Sequence, residues 1–462
     1  MPRDARAQDV AASRCETDEI KPTNRDASRH TAHRPRAAFA SPAAVMATTT
    51  TTTTTTTTRI DRVAASSSRA ASRRRSSTST PKSATARSRT TVRRATTSDD
   101  DVADDASTSE RARVERWRAR ARTMRAKILK GYLARLGARS DDCLEKDELV
   151  DRLAETWMTK CENFAITVPL RQLGNIGGNP RSGYALVTLD VGGDIGLCDF
   201  VIDTGATTAL ITPKALDMLD KDQVKEGAAV RGLTGTGETL RQKVSISEVR
   251  LGSKEFVLDA VVTDLTAVGL PATIGGLLGL DWLGNFEVEF DFEQSVITFW
   301  PPGSVKNGAV AVEDLVRVRL NQHPVGLKTV RCSLNGAELD AIVDMGSFFS
   351  VVNWMASTTA GIGPDSDKVK RGGLQVTGVD GKSMAMAMAP YDLRVLGDGE
   401  EDLTSTYQGM CCIGDLPAFA ALGASVSPFM ALGLDVIGRG RMVFNAKDNA
   451  MYLSKGDVTY GV

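Results

Sequence analysis

The chain has 462 residues, more than one average domain, so two or three folded units with flanking tails are expected. Its 57 lysines and arginines balance 57 aspartates and glutamates, which excludes a global field directed at nucleic acid or a membrane surface. Seven cysteines without a C-x-x-C pair exclude a disulfide framework and a zinc site of the usual spacing, and with only three histidines we expect no metal or other cofactor.

Residues 1–105 are expected to form a disordered leader, because a segment so rich in Arg, Ser and Thr cannot bury enough apolar surface to fold. The part from 46 to 97 contains a single acid, Asp61, and lacks the apolar stretch of a secretory signal. Such basic, hydroxylated leaders are typical of organelle transit peptides, and the composition favours the chloroplast. A mitochondrial transit peptide, or a plain disordered tail on a cytosolic protein, is the alternative. Met46 is a candidate initiator, because the 45 residues before it contain several acids and would be an unusual start for a transit peptide.

Residues 106–162 change to a helix-favouring composition. Apolar residues recur at helical spacing across 128–136 and again across 144–153, with a polar break between them, which predicts a helical hairpin. The second helix, with its run EKDELVDRL, resembles SAP-like helical modules. Arginines and Trp117 in the basic helix 111–130 indicate either a weak nucleic-acid contact or a basic helix that packs against a neighbour.

Two similar stretches follow, each built around an acid. Alignment of CDFVIDTGATTALITPKA with LDAIVDMGSFFSVVNWMA matches Asp203 with Asp344 and Gly205 with Gly346. A strand, a turn and a strand precede each acid, and a glycine-containing hairpin follows it. Each copy then ends in an apolar-apolar-Gly-x-Asp run, LLGLD or ALGLD, and two more strands. Four shared features in the same order indicate an internal repeat.

Each copy resembles one subunit of a retropepsin-like aspartic protease, and the chain is similar to two such subunits fused. The resemblance covers residues 165–302 and 310–456, which the segment WPPGSVKNGAVAVED joins. It implies a mainly β, bilobal aspartic-protease fold made of two retropepsin-like lobes in one chain. The helical hairpin and the disordered leader precede it. Because the lobes form an internal pseudo-dimer, we expect a monomer that acts on a peptide or protein substrate.

Two carboxylates that share one proton can hydrolyse a peptide bond, because like charges about 3 Å apart cannot both ionise. The resemblance implies that Asp203 and Asp344 are this catalytic pair. The active-site loops then contain Thr204, Gly205, Ala206, Met345, Gly346 and Ser347. In the family the threonine of D-T-G bonds across the lobe interface, which Thr204 can do and Met345 cannot. Because Ser347 can donate a hydrogen bond toward Asp344, we expect Asp203 to hold the shared proton more often.

Glycines of the two hairpins are expected to form flap tips that close over an extended peptide. The flap residues are Gly235, Thr236, Gly237, Gly378 and Gly381. The alternative is that these glycines only form tight turns. Gly279 and Gly433 are expected to pack behind the catalytic loops. Asp281 and Asp435 are expected to cap helices rather than to take part in the reaction.

The sequence thus predicts an aspartic-type endopeptidase. A catalytically weak or inactive peptide- or protein-binding protein is the first competing function, and the Met345 replacement favours it. A nucleic-acid role centred on the helical module is the second. The uncharged run LPAFAALGASVSPFMALGL from Leu416 has the length of a membrane span, but its prolines, glycines and serines favour a buried helix and strand, so no span is expected.

Overall fold

The computed structural model describes residues 45–46, 99–174, 183–193, 195–234, 237–266, 270–378, 383–399, 403–455 and 458–459. Most of the predicted leader lies outside these ranges. The described chain is mainly β, with a helical part followed by two β-rich lobes, which confirms the expected fold class. Among the described residues, no helix is long and apolar enough to cross a membrane.

The helical part contains three helices, whereas the sequence analysis predicted a hairpin of two. The basic segment forms a helix of its own because the chain turns after it, where the Thr123 hydroxyl donates to the Arg120 carbonyl. The third helix starts at a capping box formed by Glu145 and Glu148. The similarity to SAP-like modules stays a prediction. The helices are α1 (Asp99–Arg122), α2 (Ala126–Arg135) and α3 (Lys146–Lys160).

Lobe 1 follows the helices. Its elements are β2 (Ile166–Pro169), β3 (Arg171–Leu173), β4 (Tyr184–Asp190), β5 (Leu197–Ile202), β6 (Leu210–Ile211), α4 (Pro213–Asp217), β7 (Val224–Glu226), β8 (Val230–Thr234), β9 (Gly237–Arg241), β10 (Lys243–Leu251), β11 (Lys254–Val262), β12 (Ile274–Leu278), α5 (Leu280–Leu283), β13 (Glu287–Asp291) and β14 (Val296–Trp300). The main sheet has the order β3-β4-β5-β12-β6-β11-β10-β7. A further pairing of β4 with β10 closes six of these strands into a barrel.

Lobe 2 repeats this arrangement. Its elements are β15 (Leu315–Arg319), β16 (Asn321–Gln322), β17 (Lys328–Leu334), β18 (Ala337–Val343), β19 (Val351–Val352), α6 (Trp354–Thr359), β20 (Lys370–Gly378), β21 (Ser383–Leu396), β22 (Leu403–Ile413), α7 (Pro417–Ala421), β23 (Phe429–Leu432), α8 (Leu434–Ile437), β24 (Arg441–Asn445), β25 (Ala450–Ser454) and β26 (Val458–Thr459). Strands β17, β18, β23, β19, β22 and β21 close the second barrel, and β1 (Val45–Met46) pairs with β20. The run from Leu416 forms α7 and β23, as its composition favoured.

The internal repeat is visible in the strand pairing. In lobe 1, β5 pairs in parallel with β12, and β12 pairs in antiparallel with β6. In lobe 2, β18 pairs in parallel with β23, and β23 pairs in antiparallel with β19. The same connections therefore carry each acid-containing loop out of the same part of each barrel.

A six-stranded sheet with the order β15-β25-β24-β13-β14-β2 joins the two lobes. Its central pair is β13 of lobe 1 and β24 of lobe 2, in which Val288 lies opposite Phe444. The predicted lobe ranges, 165–302 and 310–456, contain β2–β14 and β15–β25. Residues 301–314, which we call the interlobe linker, connect β14 to β15.

Candidate active site

Each candidate catalytic aspartate follows the last residue of an apolar strand. Strand β5 delivers Asp203, whose backbone N–H donates to the Leu278 carbonyl at 3.0 Å. Strand β18 delivers Asp344, whose backbone N–H donates to the Leu432 carbonyl at 3.0 Å. Because equivalent parallel strands hold both acids, the two loops are related by the internal repeat.

The structure brings the two carboxylates together in a buried site. Asp203 is 0 % exposed and Asp344 1 % exposed, and their side chains hydrogen-bond to one another. The N–H of Gly205 donates to Asp203 Oδ1 at 2.8 Å. Asp203 Oδ2 and Asp344 Oδ1 are buried and have no hydrogen-bond partner within the described chain. These two oxygens are free to bind a reacting group.

The glycines of the two loops face the opposite lobe. A Cβ added to Gly205 would lie 2.5 Å from Asp344 Oδ1, and one added to Gly346 would lie 2.4 Å from Asp203 Oδ1. Both distances are far inside van der Waals contact. Each glycine therefore provides the space in which the carboxylate of the other lobe lies.

The bond across the lobe interface is made from one side only. Thr204 Oγ1 donates to the Val343 carbonyl at 2.7 Å and accepts the N–H of Met345 at 3.0 Å. The Met345 side chain, in the equivalent place, is fully buried in the hydrophobic core. One hydroxyl thus fixes both sides of the second loop, and the first loop receives no equivalent bond from a side chain at position 345.

The two carboxyl groups differ in proton affinity. Burial raises the pKa of Asp203 to about 7. Hydrogen bonds from backbone N–H groups and the hydrogen bond with Asp344 lower the same pKa but do not cancel the effect of burial. Burial raises the pKa of Asp344 well above its usual range, and both the negative charge of Asp203 and the shared hydrogen bond raise it further. The shared hydrogen bond thus favours an ionised Asp203 and a protonated Asp344.

This assignment reverses the prediction that Asp203 more often holds the proton. The prediction depended on a hydrogen bond from the Ser347 hydroxyl to Asp344, but that hydroxyl donates to the Phe349 carbonyl at 2.8 Å. Of the groups of Ser347, only the backbone N–H forms a hydrogen bond that lowers the pKa of Asp344. Ala206 is also buried, and its backbone N–H likewise forms a hydrogen bond that lowers the pKa of Asp203.

Two further aspartates brace the catalytic loops. Asp281 and Asp435 were expected to cap helices, but the N-cap residues are Gly279 and Gly433, and the two aspartates lie in the first turns of α5 and α8. Each also holds the residue six positions after a candidate catalytic aspartate. Asp281 Oδ1 accepts the N–H of Ala209 at 3.0 Å, and Asp435 accepts the N–H of Ser350 at 3.0 Å together with its hydroxyl at 2.6 Å. This role was not among the predictions, although the repeated Gly-x-Asp is its signal in the sequence.

The glycines before these aspartates pack as predicted. A Cβ at Gly279 would lie 2.6 Å from the backbone carbon of Thr208, and one at Gly433 would lie 2.7 Å from that of Phe349. The apolar-apolar-Gly run therefore touches the back of each catalytic loop. Any larger residue there would push the loop toward the opposite lobe.

Tyr184 is a second residue that the sequence analysis missed. It lies at the start of β4 and is buried, and burial followed by the charges of Asp344 and Asp203 raises the pKa of its phenol. The ring belongs to an apolar cluster of lobe 1 that includes Ala206 and Leu277. A single tyrosine in an apolar strand carries no signal of this location.

The predicted flap residues are described only in part. Gly237 begins β9, which pairs with β8 as a hairpin, and Gly378 ends β20, which pairs with β21. Gly235, Thr236 and Gly381 lie outside the described residues. The flap role of all five stays a prediction. Among the residues that the structure describes, no group of three or more His, Cys, Asp or Glu side chains could hold a metal ion.

Five arginines of the basic helix form ion pairs within the chain. The ion pairs are Arg113 and Arg116 with Glu162, Arg118 with Glu115 and Asp151, Arg120 with Glu313, and Arg122 with Glu115. Trp117 Nε1 also donates to Glu162. These contacts favour the interpretation of a basic helix that packs on a neighbour, because paired guanidinium groups would have to exchange partners to bind phosphates.

Residues 187–282 match the family model described as aspartyl protease. No curated protein matches the chain. Three solved structures show a weak similarity that carries no functional conclusion. They are basic 7S globulin from soybean (10% identity, TM-score 0.39, covering 63% of this chain and 95% of that chain), conglutin gamma, a basic 7S globulin from lupine seeds (11%, 0.38, 63% and 95%), and edgp (10%, 0.36, 63% and 94%). The family match confirms the retropepsin-like resemblance and makes the chain protease-like.

Proposed function

We propose that this chain, with its aspartyl protease family match, is an active aspartic endopeptidase that hydrolyses peptide bonds with a water activated between Asp203 and Asp344. One observation supports this function above the others. The glycine of each catalytic loop leaves the space that the opposite carboxylate fills, so the buried acid pair exists only because both lobes are shaped for it. A protein that only binds peptides has no use for two unpaired acid oxygens at its centre.

The proton affinities give each acid a role. Ionised Asp203 accepts a proton from the water as its oxygen attacks the peptide carbonyl carbon, while protonated Asp344 donates to the carbonyl oxygen. The tetrahedral gem-diol then breaks its C–N bond as Asp203 donates its proton to the nitrogen, while one gem-diol hydroxyl returns a proton to Asp344 and becomes the carbonyl of the new acid. The products are a carboxylic acid and an amine, and the pair returns to its singly protonated state.

We propose an extended peptide as the substrate. The hairpins β8–β9 and β20–β21 would hold it by main-chain hydrogen bonds, because a strand-like peptide can pair with a hairpin edge. No other described strand pairs with β8 or β9, whereas at β20 the peptide would replace β1, which pairs with Thr377 and Gly378. This proposal carries over the predicted flap role of Gly237 and Gly378.

A peptide-binding protein of low or no activity is the second candidate. The observation that favours it is Met345, whose side chain has no hydroxyl to match the cross-lobe bonds that Thr204 makes. A less rigid first loop would position the acid pair less accurately, and small misplacements cost large factors in rate.

Cleavage of a diverse peptide library by the full chain tests both candidates. The parent is compared with Asp203→Asn and Asp344→Asn across pH, with Asp340→Asn as a matched exposed aspartate of lobe 2. We expect cleavage by the parent and the control, and loss in both active-site variants. A folded parent that binds library peptides without cleaving them would establish the second candidate instead.

We propose a chloroplast location from the composition of residues 46–97. Residues 1–105 fused to a fluorescent protein should enter chloroplasts, and a fusion that starts at Met46 should do the same if that methionine is the initiator. Accumulation in mitochondria or the cytosol would contradict this location.

Nucleic-acid binding through the basic helix 111–130 stays a weaker proposal. The test is binding of a fluorescent duplex oligonucleotide by the full chain at increasing salt, because phosphate contacts produce a steep salt dependence. Binding that weakens in Arg113→Gln and Arg116→Gln would support it, and absence of binding at low salt would refute it.

A further inference from the structure

The interlobe linker is bound by all three helices of the helical part. Three consecutive carbonyls of the linker accept one donor from each helix. Arg135 of α2 donates to Lys306 O at 2.7 Å, Trp157 of α3 donates to Asn307 O at 2.7 Å, and Arg120 of α1 donates to Gly308 O at 3.0 Å. Because each of these three carbonyls has a donor, the helices form a specific binding site for this segment of the linker backbone.

Apolar contacts complete this site. Gly308 has φ 74°, and a Cβ there would lie 2.5 Å from the ring of Tyr132, so the linker backbone lies flat against α2. Ala309 is 4 % exposed and belongs to the same hydrophobic cluster as Trp157. Trp300, at the entry to the linker, packs edge-on against Trp117. The helical core therefore extends into the linker.

The opposite side of the linker is held by a glutamate of lobe 1 that is itself bonded to lobe 2. Glu287 of β13 is 2 % exposed, and its carboxylate accepts the N–H groups of Gly303 at 2.8 Å and Val305 at 2.6 Å. The same carboxylate accepts Nδ2 of Asn445 in β24 at 2.9 Å. Since β13 belongs to lobe 1 and β24 to lobe 2, the linker lies against the junction of the lobes, between that junction and the three helices.

We infer that the helical part is an intramolecular clamp on the interlobe linker, and that the clamp keeps the two lobes at the spacing that the Asp203–Asp344 pair requires. The helices thus act as a positioning element for the catalytic pair. The clamp and its effect on the spacing of the lobes do not depend on catalysis, and only its effect on rate rests on the proposed endopeptidase function.

The chain offers matched variants for a test. Trp157→Phe keeps an aromatic ring in the core and removes the donor to the linker, whereas Trp354→Phe is the same change in α6 of lobe 2, where the ring packs against the Arg371 guanidinium. Arg135→Gln removes a second donor to the linker, whereas Arg139→Gln removes an exposed pair with Asp141. The clamp double variant is Trp157→Phe with Arg135→Gln, and the control double variant is Trp354→Phe with Arg139→Gln.

The primary readout is the distance between the lobes in the full chain. Spin labels on Ser253→Cys in lobe 1 and Val426→Cys in lobe 2, both exposed, report it by pulsed electron paramagnetic resonance, with Cys15→Ser to prevent additional labelling. We expect a distance distribution at least twice as wide in the clamp double variant and an unchanged one in the control. A parent-like distribution in the clamp double variant, with its helical circular dichroism intact, would overturn the clamp.

Peptide cleavage is the second readout. We expect kcat in the clamp double variant to fall about tenfold with KM changed less than twofold, because misplacement of catalytic groups affects the reaction more than binding. Arg135→Gln alone, at an exposed site, gives a milder variant if the double variant does not fold. A parent without cleavage would refute the proposed function, while the distance measurement would still decide whether the clamp exists.

Discussion

Gly205 and Gly346 show that the active site depends on two residues that have no side chain. Each glycine lies against the carboxylate of the other lobe, at a distance that leaves no room for a methyl group. The acid pair can therefore form a direct hydrogen bond while both side chains are buried. Small residues at these two positions are a requirement of the interface between the lobes, not only of the local turn.

We expect Gly205→Ala and Gly346→Ala each to lower kcat/KM by about 10²-fold or more, because a Cβ would push the opposite aspartate out of position. Gly363→Ala is the control, since nothing lies within 4 Å of the place its Cβ would take. Cleavage kinetics and circular dichroism would separate lost positioning from unfolding. Near-parental activity in either active-site variant would contradict the geometry.

The acid pair also predicts a pH profile. Below about pH 7 Asp203 becomes protonated, so no carboxylate remains to accept a proton from water, and cleavage should fall as the pH drops through this value. Ser347→Ala should leave this acidic limb in place, because the hydroxyl bonds to the Phe349 carbonyl. Initial rates across pH 4 to 9 measure both. A limb near pH 4, or a shift in Ser347→Ala, would be inconsistent with the assigned proton positions.

At the scale of elements, the two catalytic loops are held by the same parts of each lobe. A parallel strand fixes the start of each loop, a glycine packs behind it, and an aspartate of the following short helix binds its far end. In lobe 2 the brace is tighter, because Ser350 Oγ donates to Asp435 and accepts the N–H of Gly433. The loop that lacks a threonine thus has the stronger support from its own lobe.

Asp435 should make stability depend on pH. Burial raises its pKa from 3.8 to about 6, so the folded state binds a proton that the unfolded state has released, and this contribution to stability is lost as the pH rises from about 4 through 6. The free energy of unfolding in urea should therefore differ between pH 4 and pH 7, and this difference should be smaller by about 3 kcal/mol in Asp435→Asn than in the parent. Asp281→Asn, at a more exposed aspartate, should show a smaller change. An unchanged difference in Asp435→Asn would refute this account.

At the scale of the whole molecule, one chain supplies both halves of the acid pair. The lobes share a six-stranded sheet, and the linker between them is bound by the sheet on one side and by the helices on the other. A fused pair of lobes does not depend on protein concentration to assemble its site, unlike a site formed between two separate chains.

Mixing experiments test this organisation. Equal amounts of Asp203→Asn and Asp344→Asn should remain inactive after mixing, because each chain keeps its own defective pair. The specific activity of the parent should also be constant across a hundredfold dilution. Recovery of cleavage on mixing would show that lobes exchange between chains and would contradict a monomeric pseudo-dimer.

The sequence by itself determined the repeat and, through it, the two aspartates and their glycines, because these depend on local patterns that occur twice in the same order. Tertiary structure decided that burial raises the pKa of both acids, where the Ser347 hydroxyl points and what the basic helix binds. These features depend on contacts between distant parts of the chain, such as Arg120 with Glu313, 193 positions away. No local pattern encodes such a contact, since burial and geometry appear only once the lobes and helices have packed.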